Sequence, residues 1–174
     1  MRRLRYSVAA SLDGFIAGPN GEFDWIPMDP EIDFGAMFAR YDTLLLGRKT
    51  YEASAAYPSD GMAMWKGMRV IVCSYTLSTA TNAELWSDNV ATRITQLKQT
   101  PGKDIWLFGG GDLFRTLLEA RVVDDVEVAV IPILLGRGIP LRALPAPQTQ
   151  LALRDHRVYM HSGTVVLTYG MSRQ

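Results

Sequence analysis

Residues 105–119 constrain the fold of this chain more than any other stretch. They read Ile-Trp-Leu-Phe-Gly-Gly-Gly-Asp-Leu-Phe-Arg-Thr-Leu-Leu-Glu. Four apolar residues in succession predict a strand that is covered on both faces, as in a parallel sheet. Three glycines then permit a sharp turn, and Asp112 is a suitable N-cap for a helix whose apolar face carries Leu113 and Leu117. The stretch therefore predicts a buried strand that leads through a glycine turn into a helix.

This glycine turn also indicates an anion site. A glycine-rich turn at a helix N-terminus exposes backbone N–H groups at the positive end of the helix dipole, which suits a phosphate or pyrophosphate. Phe114, however, stands where the dinucleotide fingerprint G-x-G-x-x-G has its third glycine, and the P-loop pattern is absent from the sequence. A tight strand–helix connection that binds nothing is the alternative interpretation, and this stretch alone leaves both open.

Other apolar segments predict further strands of the same sheet. They lie at residues 4–10, 43–46, 69–73 and 126–131, and helices are predicted to begin at Asp29, after Gly47 and near Ile94. Residues 151–159 and 164–169 alternate between apolar and polar around His161-Ser162-Gly163, which is typical of an antiparallel hairpin. The stretch at 58–67, rich in Met and Gly, is predicted to be a loop that forms a lid or an interface.

Strands that alternate with helices and end in a hairpin predict an α/β fold. We expect a mostly parallel central sheet with an antiparallel C-terminal hairpin and with helices on both faces. At this length the chain is expected to form one domain over residues 1–174.

Composition excludes several classes of function. Lys plus Arg and Asp plus Glu both number 18, so bulk charge does not favour nucleic acid as a partner. No apolar segment approaches the ~20 residues that a membrane-spanning helix needs. Cys73 is the single cysteine, which rules out an intrachain disulfide and indicates a reducing cytoplasm. With one cysteine and two histidines, no transition-metal site is predicted.

Four segments that carry polar or glycine residues are predicted to meet at one edge of the sheet. They follow the first, second and third strands and the central strand, at residues 10–13, 47–51, 73–75 and 108–113. Ligands of open parallel sheets bind beyond the carboxyl ends of the strands. Within the second segment, Arg48, Lys49 and Thr50 offer a guanidinium, an ammonium and a hydroxyl to a phosphate. This convergence favours a phosphate-bearing cofactor.

Two of these segments resemble elements of dihydrofolate reductases. Residues 46–52, Leu-Gly-Arg-Lys-Thr-Tyr-Glu, resemble the G-R-x-T-[WYF]-E element, and residues 108–114 resemble the G-G-G element that holds the cofactor pyrophosphate. The opening Ala-Ser-Leu-Asp-Gly-Phe-Ile-Ala at 10–17 and the run at 133–140 are closer to a sister group. That group is the C-terminal reductase domain of the bifunctional riboflavin-biosynthesis deaminase–reductase, with its stand-alone bacterial relatives.

The resemblance spans nearly the whole chain and implies a dihydrofolate reductase-like three-layer fold with NADPH as hydride donor. It places Arg48, Lys49, Thr50 and Ser74 at the 2′-phosphate and nearby pyrophosphate, and Ala10 and Ile16 beside the nicotinamide. The remaining implied cofactor residues are Gly47, Phe108, Gly109, Gly110, Gly111 and Leu113. A homodimer is expected from the same resemblance. The deaminase half, with its zinc-binding signature, is absent from the sequence.

The implied reaction is NADPH-dependent hydride transfer to a C=N or C=O bond of a small pterin- or pyrimidine-like heterocycle. Asp13 and Asp24 are the candidate catalytic residues, because an Asp beside an apolar wall can have a raised pKa and donate a proton. Trp25 and Tyr51 are the candidate walls of the substrate site. The alternatives are a dihydrofolate reductase proper, with its pterin carboxylate among Asp29, Glu31 and Asp33, and a non-catalytic NADP(H)-binding protein.

Overall fold

The computed structural model describes residues 1–56 and 65–172. The strands found there are β1 (Leu4–Ser11), β2 (Phe15–Ala17), β3 (Tyr41–Gly47), β4 (Arg69–Cys73), β5 (Glu84–Trp86), β6 (Asp104–Gly109), β7 (Asp125–Ile131), β8 (Ile139–Pro140), β9 (Leu151–Tyr159) and β10 (Thr164–Met171). The helices are α1 (Phe34–Phe38), α2 (Arg48–Ala56), α3 (Val90–Lys98) and α4 (Gly111–Glu119). The predicted loop at 58–67 lies outside the described residues except for its last three positions.

Eight strands form one sheet in the order β5-β4-β3-β6-β1-β7-β10-β9. Pairing is parallel from β5 through to β7, whereas β10 runs antiparallel to both β7 and β9. The predicted mostly parallel sheet with an antiparallel C-terminal hairpin is therefore confirmed. The short strands β2 and β8 pair with each other in a separate ribbon, which the sequence analysis does not predict.

Both faces of the sheet are covered by helices. On β6, Ile105 and Leu107 pack into one core with side chains of α3 and α4, whereas Trp106 packs into a second core with Phe38 of α1. Successive side chains of a strand point to opposite faces, so these two cores lie on opposite sides of the sheet. This double burial explains the unbroken apolar sequence of the central strand.

The first helix begins later than predicted. Its N-cap is Asp33, whose carboxylate accepts a hydrogen bond of 2.8 Å from the backbone N–H of Ala36. The sequence indicates Asp29 as the N-cap, but the carboxylate of Asp29 is buried and accepts from the backbone N–H groups of Glu31 at 2.8 Å and Ser162 at 3.0 Å. Asp29 therefore joins this loop to the β9–β10 turn, a contact that local sequence does not indicate.

Within residues 1–56 and 65–172, no helix has the length and apolar character needed to cross a membrane. The same ranges contain no group of three or more His, Cys, Asp or Glu side chains placed to hold a metal ion.

Candidate functional site

A cleft of about 1820 Å³ opens at the carboxyl ends of the parallel strands. The ends of β3, β4 and β6, the N-terminal turns of α2, α3 and α4, and the inner face of β1, β7, β10 and β9 line it. The predicted cofactor residues that line this cleft are Ile16, Gly47, Arg48, Lys49, Thr50, Ser74, Phe108, Gly109, Gly110, Gly111 and Leu113. The structure thus brings together all of the predicted cofactor residues except Ala10.

The two glycine junctions are in direct contact. A Cβ atom built on Gly47 would lie 3.5 Å from both the carbonyl oxygen of Gly109 and the nitrogen of Gly110. A Cβ on Gly110 itself would meet only the Thr50 hydroxyl, at 3.4 Å, so the absence of side chains here leaves an open depression in the cleft wall. Its backbone is lined by the β3–α2 and β6–α4 connections.

Helix α4 directs its N-terminus into this depression. Its N-cap is Gly110, which provides no side-chain acceptor for the first N–H groups, and Asp112 lies in the first turn rather than at the predicted N-cap position. The first N–H groups of a helix have no intrahelical partner, and the helix dipole is positive at that end. The helix is fixed from behind by Phe114, which stacks on Tyr6 with ring centroids 3.8 Å apart. The depression therefore has the charge and the donors to hold a pyrophosphate.

Cations and hydroxyls flank the depression on the side of α2 and β4. The Arg48 guanidinium lines the cleft and contacts the Glu52 carboxylate at 2.8 Å, and Lys49 beside it is exposed. Across the cleft, Ser74 is buried at the end of β4, and its Oγ accepts from the backbone N–H groups of Thr76 at 3.2 Å and Leu77 at 3.1 Å. Ser74 Oγ also lies 3.4 Å from Thr76 Oγ1, a contact in which either hydroxyl can be the donor, so one of these two O–H groups remains to donate to an anion. This set of donors fits a phosphate monoester next to a pyrophosphate.

The predicted nicotinamide contact Ala10 lies behind the cleft surface. Its side chain is 2% exposed and belongs to the core, whereas the preceding Ala9 lines the cleft together with Ile16. Alternate residues of a strand face opposite sides, so only one of two adjacent alanines can present its methyl group to the cleft.

Asp13 is used within its own turn. Its carboxylate accepts from Ser11 Oγ at 2.6 Å and from the backbone N–H groups of Leu135 at 3.1 Å and Gly136 at 2.7 Å, and it does not line the cleft. The hydrogen bond from Ser11, followed by those from Gly136 and Leu135, lowers the pKa of Asp13 below its ordinary value. The expectation of a raised pKa is therefore wrong for this residue.

The other predicted substrate residues separate in the structure. Asp24 is exposed and lines the cleft, but Trp25 and Tyr51 do not. The Trp25 indole N–H donates to the carbonyl oxygen of Glu22 at 3.0 Å. The Tyr51 hydroxyl donates to the carbonyl oxygen of Thr81 at 3.1 Å and accepts from its N–H at 2.8 Å, which joins α2 to the loop before β5.

The structure adds a polar group that the sequence analysis does not single out. Glu127, in the middle of β7, is 9% exposed and lines the end of the cleft away from the glycines. Its Oε1 accepts from Ser7 Oγ at 2.8 Å, and its Oε2 accepts from Arg40 Nη2 at 3.0 Å. A carboxylate between two valines, within the otherwise apolar run at 126–131, is the signal that could have identified it.

Three comparisons with known proteins agree with this geometry. The sequence matches the family described as RibD C-terminal domain over residues 2–167. The Bacillus subtilis (strain 168) protein YyaP is 34% identical over 178 residues, which cover 97% of this chain and 94% of YyaP. A crystal structure from Shewanella sp. PV-4, assigned by name to riboflavin biosynthesis, has a TM-score of 0.82 at 26% identity and covers 99% of this chain and 100% of its own.

A more distant structure shows the wider fold. Enterococcus faecalis dihydrofolate reductase, solved in complex with NADP(H), has a TM-score of 0.70 at 18% identity, with 98% of this chain and 97% of that chain covered. The predicted dihydrofolate reductase-like fold is thereby confirmed.

Proposed function

The chain belongs to the RibD C-terminal domain family, and from this premise we propose that it is an NADPH-dependent reductase of a small heterocyclic substrate. The family and the structural relatives are reductases, which supports an oxidoreductase. The observation that carries the proposal is the contact between the glycine junctions of β3 and β6, flanked by the cations of α2. A dinucleotide pyrophosphate needs such a surface without side chains, and a 2′-phosphate needs such cations.

In this proposal the chain positions the cofactor through three groups of contacts. The backbone N–H groups at the start of α4 hold the pyrophosphate. Arg48, Lys49, Thr50 and Ser74 hold the 2′-phosphate, and Ile16 and Phe108 border the nicotinamide end. When bound, NADPH would supply the hydride, and these residues would hold its reacting carbon within ~3–3.5 Å of the accepting carbon of the substrate. A proton from water or from a carboxyl group of the cleft completes the reduction of the C=N or C=O bond. Asp24 remains the candidate for that carboxyl group.

The compartment and assembly are part of the same proposal. The single cysteine supports the cytoplasm, and family resemblance supports a homodimer. The substrate is a small molecule in this proposal, and the balanced charge gives no support to nucleic acid as a partner.

The test is calorimetric titration of the purified protein with NADPH and with NADH. We expect tight binding of NADPH and much weaker binding of NADH. Selective binding, followed by loss of NADPH absorbance with imine and carbonyl heterocycles, supports the reductase. Turnover of dihydrofolate would favour a dihydrofolate reductase proper, binding without turnover would favour a nucleotide-binding protein, and binding of neither nucleotide would refute the proposal.

A further inference from the structure

A polar row crosses four adjacent strands on the inner face of the cleft. Ser7 of β1 lies opposite Glu127 of β7, Glu127 opposite Thr168 of β10, and Thr168 opposite Asp155 of β9. All four residues line the cleft. They stand side by side at the spacing of neighbouring strands, about 5 Å, so they form a continuous row of polar side chains.

On β1, β7 and β10, the next row towards the glycine rim is made of small and apolar side chains, and on β9 it ends in Arg157, which lies opposite Val166 and also lines the cleft. Ala9 lies opposite Ala129, and Ala129 opposite Val166, and all three line the cleft. The short side chains of the two alanines leave space above the sheet beside the polar row. Phe38 and Trp106, which stack with ring centroids 5.4 Å apart, also line this end of the cleft. The space between the two alanines and this aromatic pair suits a flat ring.

Glu127 is held in one position by donors from three other parts of the chain. Besides the bonds from Ser7 and Arg40 Nη2, its oxygens have longer contacts to Arg40 Nη1 at 3.4 Å and Thr168 Oγ1 at 3.5 Å. Ser7 is itself fixed, since its carbonyl oxygen accepts from the Trp106 indole N–H at 2.8 Å. An ionised carboxylate has about four acceptor positions, and Oε2 has one short bond, so this oxygen can accept another N–H from the cleft.

We propose that Glu127 is the residue that determines substrate specificity, and this inference rests on the proposed reductase function. The substrate is then a flat nitrogen heterocycle that lies over Ala9 and Ala129 and donates a ring N–H or amino N–H to Glu127 Oε2. The opposite edge of that ring points towards the glycine rim, where the hydride donor is proposed to bind. The Asp29 carboxylate accepts a hydrogen bond from Ser162, and the Asp33 carboxylate caps α1. Both lie outside the strands of the sheet, whereas Glu127 lies on a strand.

The experiment compares binding of 2,4-diaminopyrimidine to the NADPH-saturated wild type and to three variants, by calorimetry. The ring carries N–H donors on an N–C–N edge, and pyrimidine, the same ring without any N–H donor, is the control ligand that we expect not to bind through Glu127. Glu127→Gln keeps the shape of the side chain but removes its charge, and Glu127→Asp keeps the charge but shortens the reach. Glu31→Gln makes the same chemical change at an exposed position outside the cleft lining and serves as the matched control.

We expect Glu127→Gln to weaken 2,4-diaminopyrimidine by about tenfold or more, as loss of a charge-assisted hydrogen bond implies. Glu127→Asp should weaken it less, and Glu31→Gln should leave it unchanged. NADPH affinity should be retained in all three variants, which also verifies that they are folded. Unchanged binding in Glu127→Gln overturns the inference, as does failure of the NADPH-saturated wild type to bind the probe. Failure of the wild type to bind NADPH instead overturns the proposed function on which the inference depends.

Discussion

In the proposed function, a single side chain, Arg48, decides which dinucleotide the cleft selects. Arg48 lines the cleft, and its contact with Glu52 is made through Nη1, so the other guanidinium N–H groups can donate to a ligand. NADPH differs from NADH only by the 2′-phosphate that we assign to this region. Selectivity between the two nucleotides therefore measures the role of Arg48 directly.

Replacement of Arg48 by Ala is expected to weaken NADPH by about tenfold or more, because charge-assisted bonds to the phosphate are lost. NADH, without that phosphate, should lose little affinity. Titration calorimetry with both nucleotides measures the difference. Arg69→Ala is the matched control, since Arg69 also pairs with an exposed glutamate, Glu84, but at the start of β4 and outside the cleft lining. Equal losses for both nucleotides in Arg48→Ala would show that the 2′-phosphate assignment is wrong.

Asp29 gives a prediction about pH. The hydrogen bond from Ser162 lowers the pKa of Asp29, whereas burial acts in the opposite direction. The hydrogen bond from the Glu31 N–H also lowers this pKa. A carboxyl whose pKa is lower in the folded chain stabilises the fold above its unfolded pKa and stops doing so as pH falls through the folded value. Asp29→Asn should therefore melt a few degrees below wild type at neutral pH, and the gap should narrow below about pH 4.

Thermal melts of both proteins across that pH range test this prediction. Asp33→Asn is the control, because within residues 1–56 and 65–172 the Asp33 carboxylate accepts a hydrogen bond from its own turn alone. We expect a smaller difference in melting temperature for that variant. A gap between Asp29→Asn and wild type that stays constant down to acid pH would contradict the prediction.

Among the secondary-structure elements, the β6–α4 junction combines a proposed binding role with a packing role at adjacent glycines. A Cβ on Gly111 would lie 2.6 Å from the carbonyl oxygen of Pro140 and 3.2 Å from the nitrogen of Ala143, which are backbone atoms. A Cβ on Gly110 would meet only the Thr50 hydroxyl, and the φ of Gly110, −86°, is open to any residue. Gly110 thus leaves space for a ligand, whereas Gly111 allows the backbone after β8 to approach closely.

Two alanine substitutions separate these roles. Gly111→Ala should destabilise the fold by about 1–3 kcal/mol, the usual cost of overpacking. Gly110→Ala should keep most of the stability but weaken NADPH by about tenfold, because a methyl group fills the pyrophosphate site. Urea unfolding measures the first effect and calorimetry the second. If Gly110→Ala bound NADPH like wild type, the pyrophosphate would not lie against this glycine.

The junctions were predictable from sequence because their signals are local. An apolar run, glycines and a helical period fall within 15 residues in the 105–119 stretch, and the same pattern recurs around Gly47. Glu127 was not predictable in this way, since its partners Ser7 and Arg40 are 120 and 87 residues away, and they meet it only through the pairing of β1 with β7 and the packing of the turn before β3. The contact of the Tyr51 hydroxyl with Thr81, 30 residues away, was likewise not predictable from local sequence.

For the chain as a whole, the cleft joins the two halves of the sheet. Its glycine end lies between β3 and β6, and its polar end lies on β1, β7, β10 and β9. A ligand that occupies the cleft therefore contacts elements from most of the sequence. Because such a ligand binds the folded chain and not the unfolded one, it stabilises the entire fold.

NADPH should therefore raise the melting temperature of this chain. At a concentration one hundred times the dissociation constant, linkage gives about 2.7 kcal/mol of stabilisation. For a chain of this size, that energy corresponds to roughly 5–10 °C. The melting temperature should continue to rise with the logarithm of NADPH concentration, whereas NADH at the same concentrations should raise it much less.

Differential scanning fluorimetry over a range of both nucleotides provides the measurement, with Gly110→Ala as the control in which the NADPH shift is reduced. Equal shifts with NADPH and NADH would place binding elsewhere than on the Arg48 side of the cleft. No shift with either would mean that the cleft does not bind these dinucleotides, because any ligand specific for the folded state must stabilise that state.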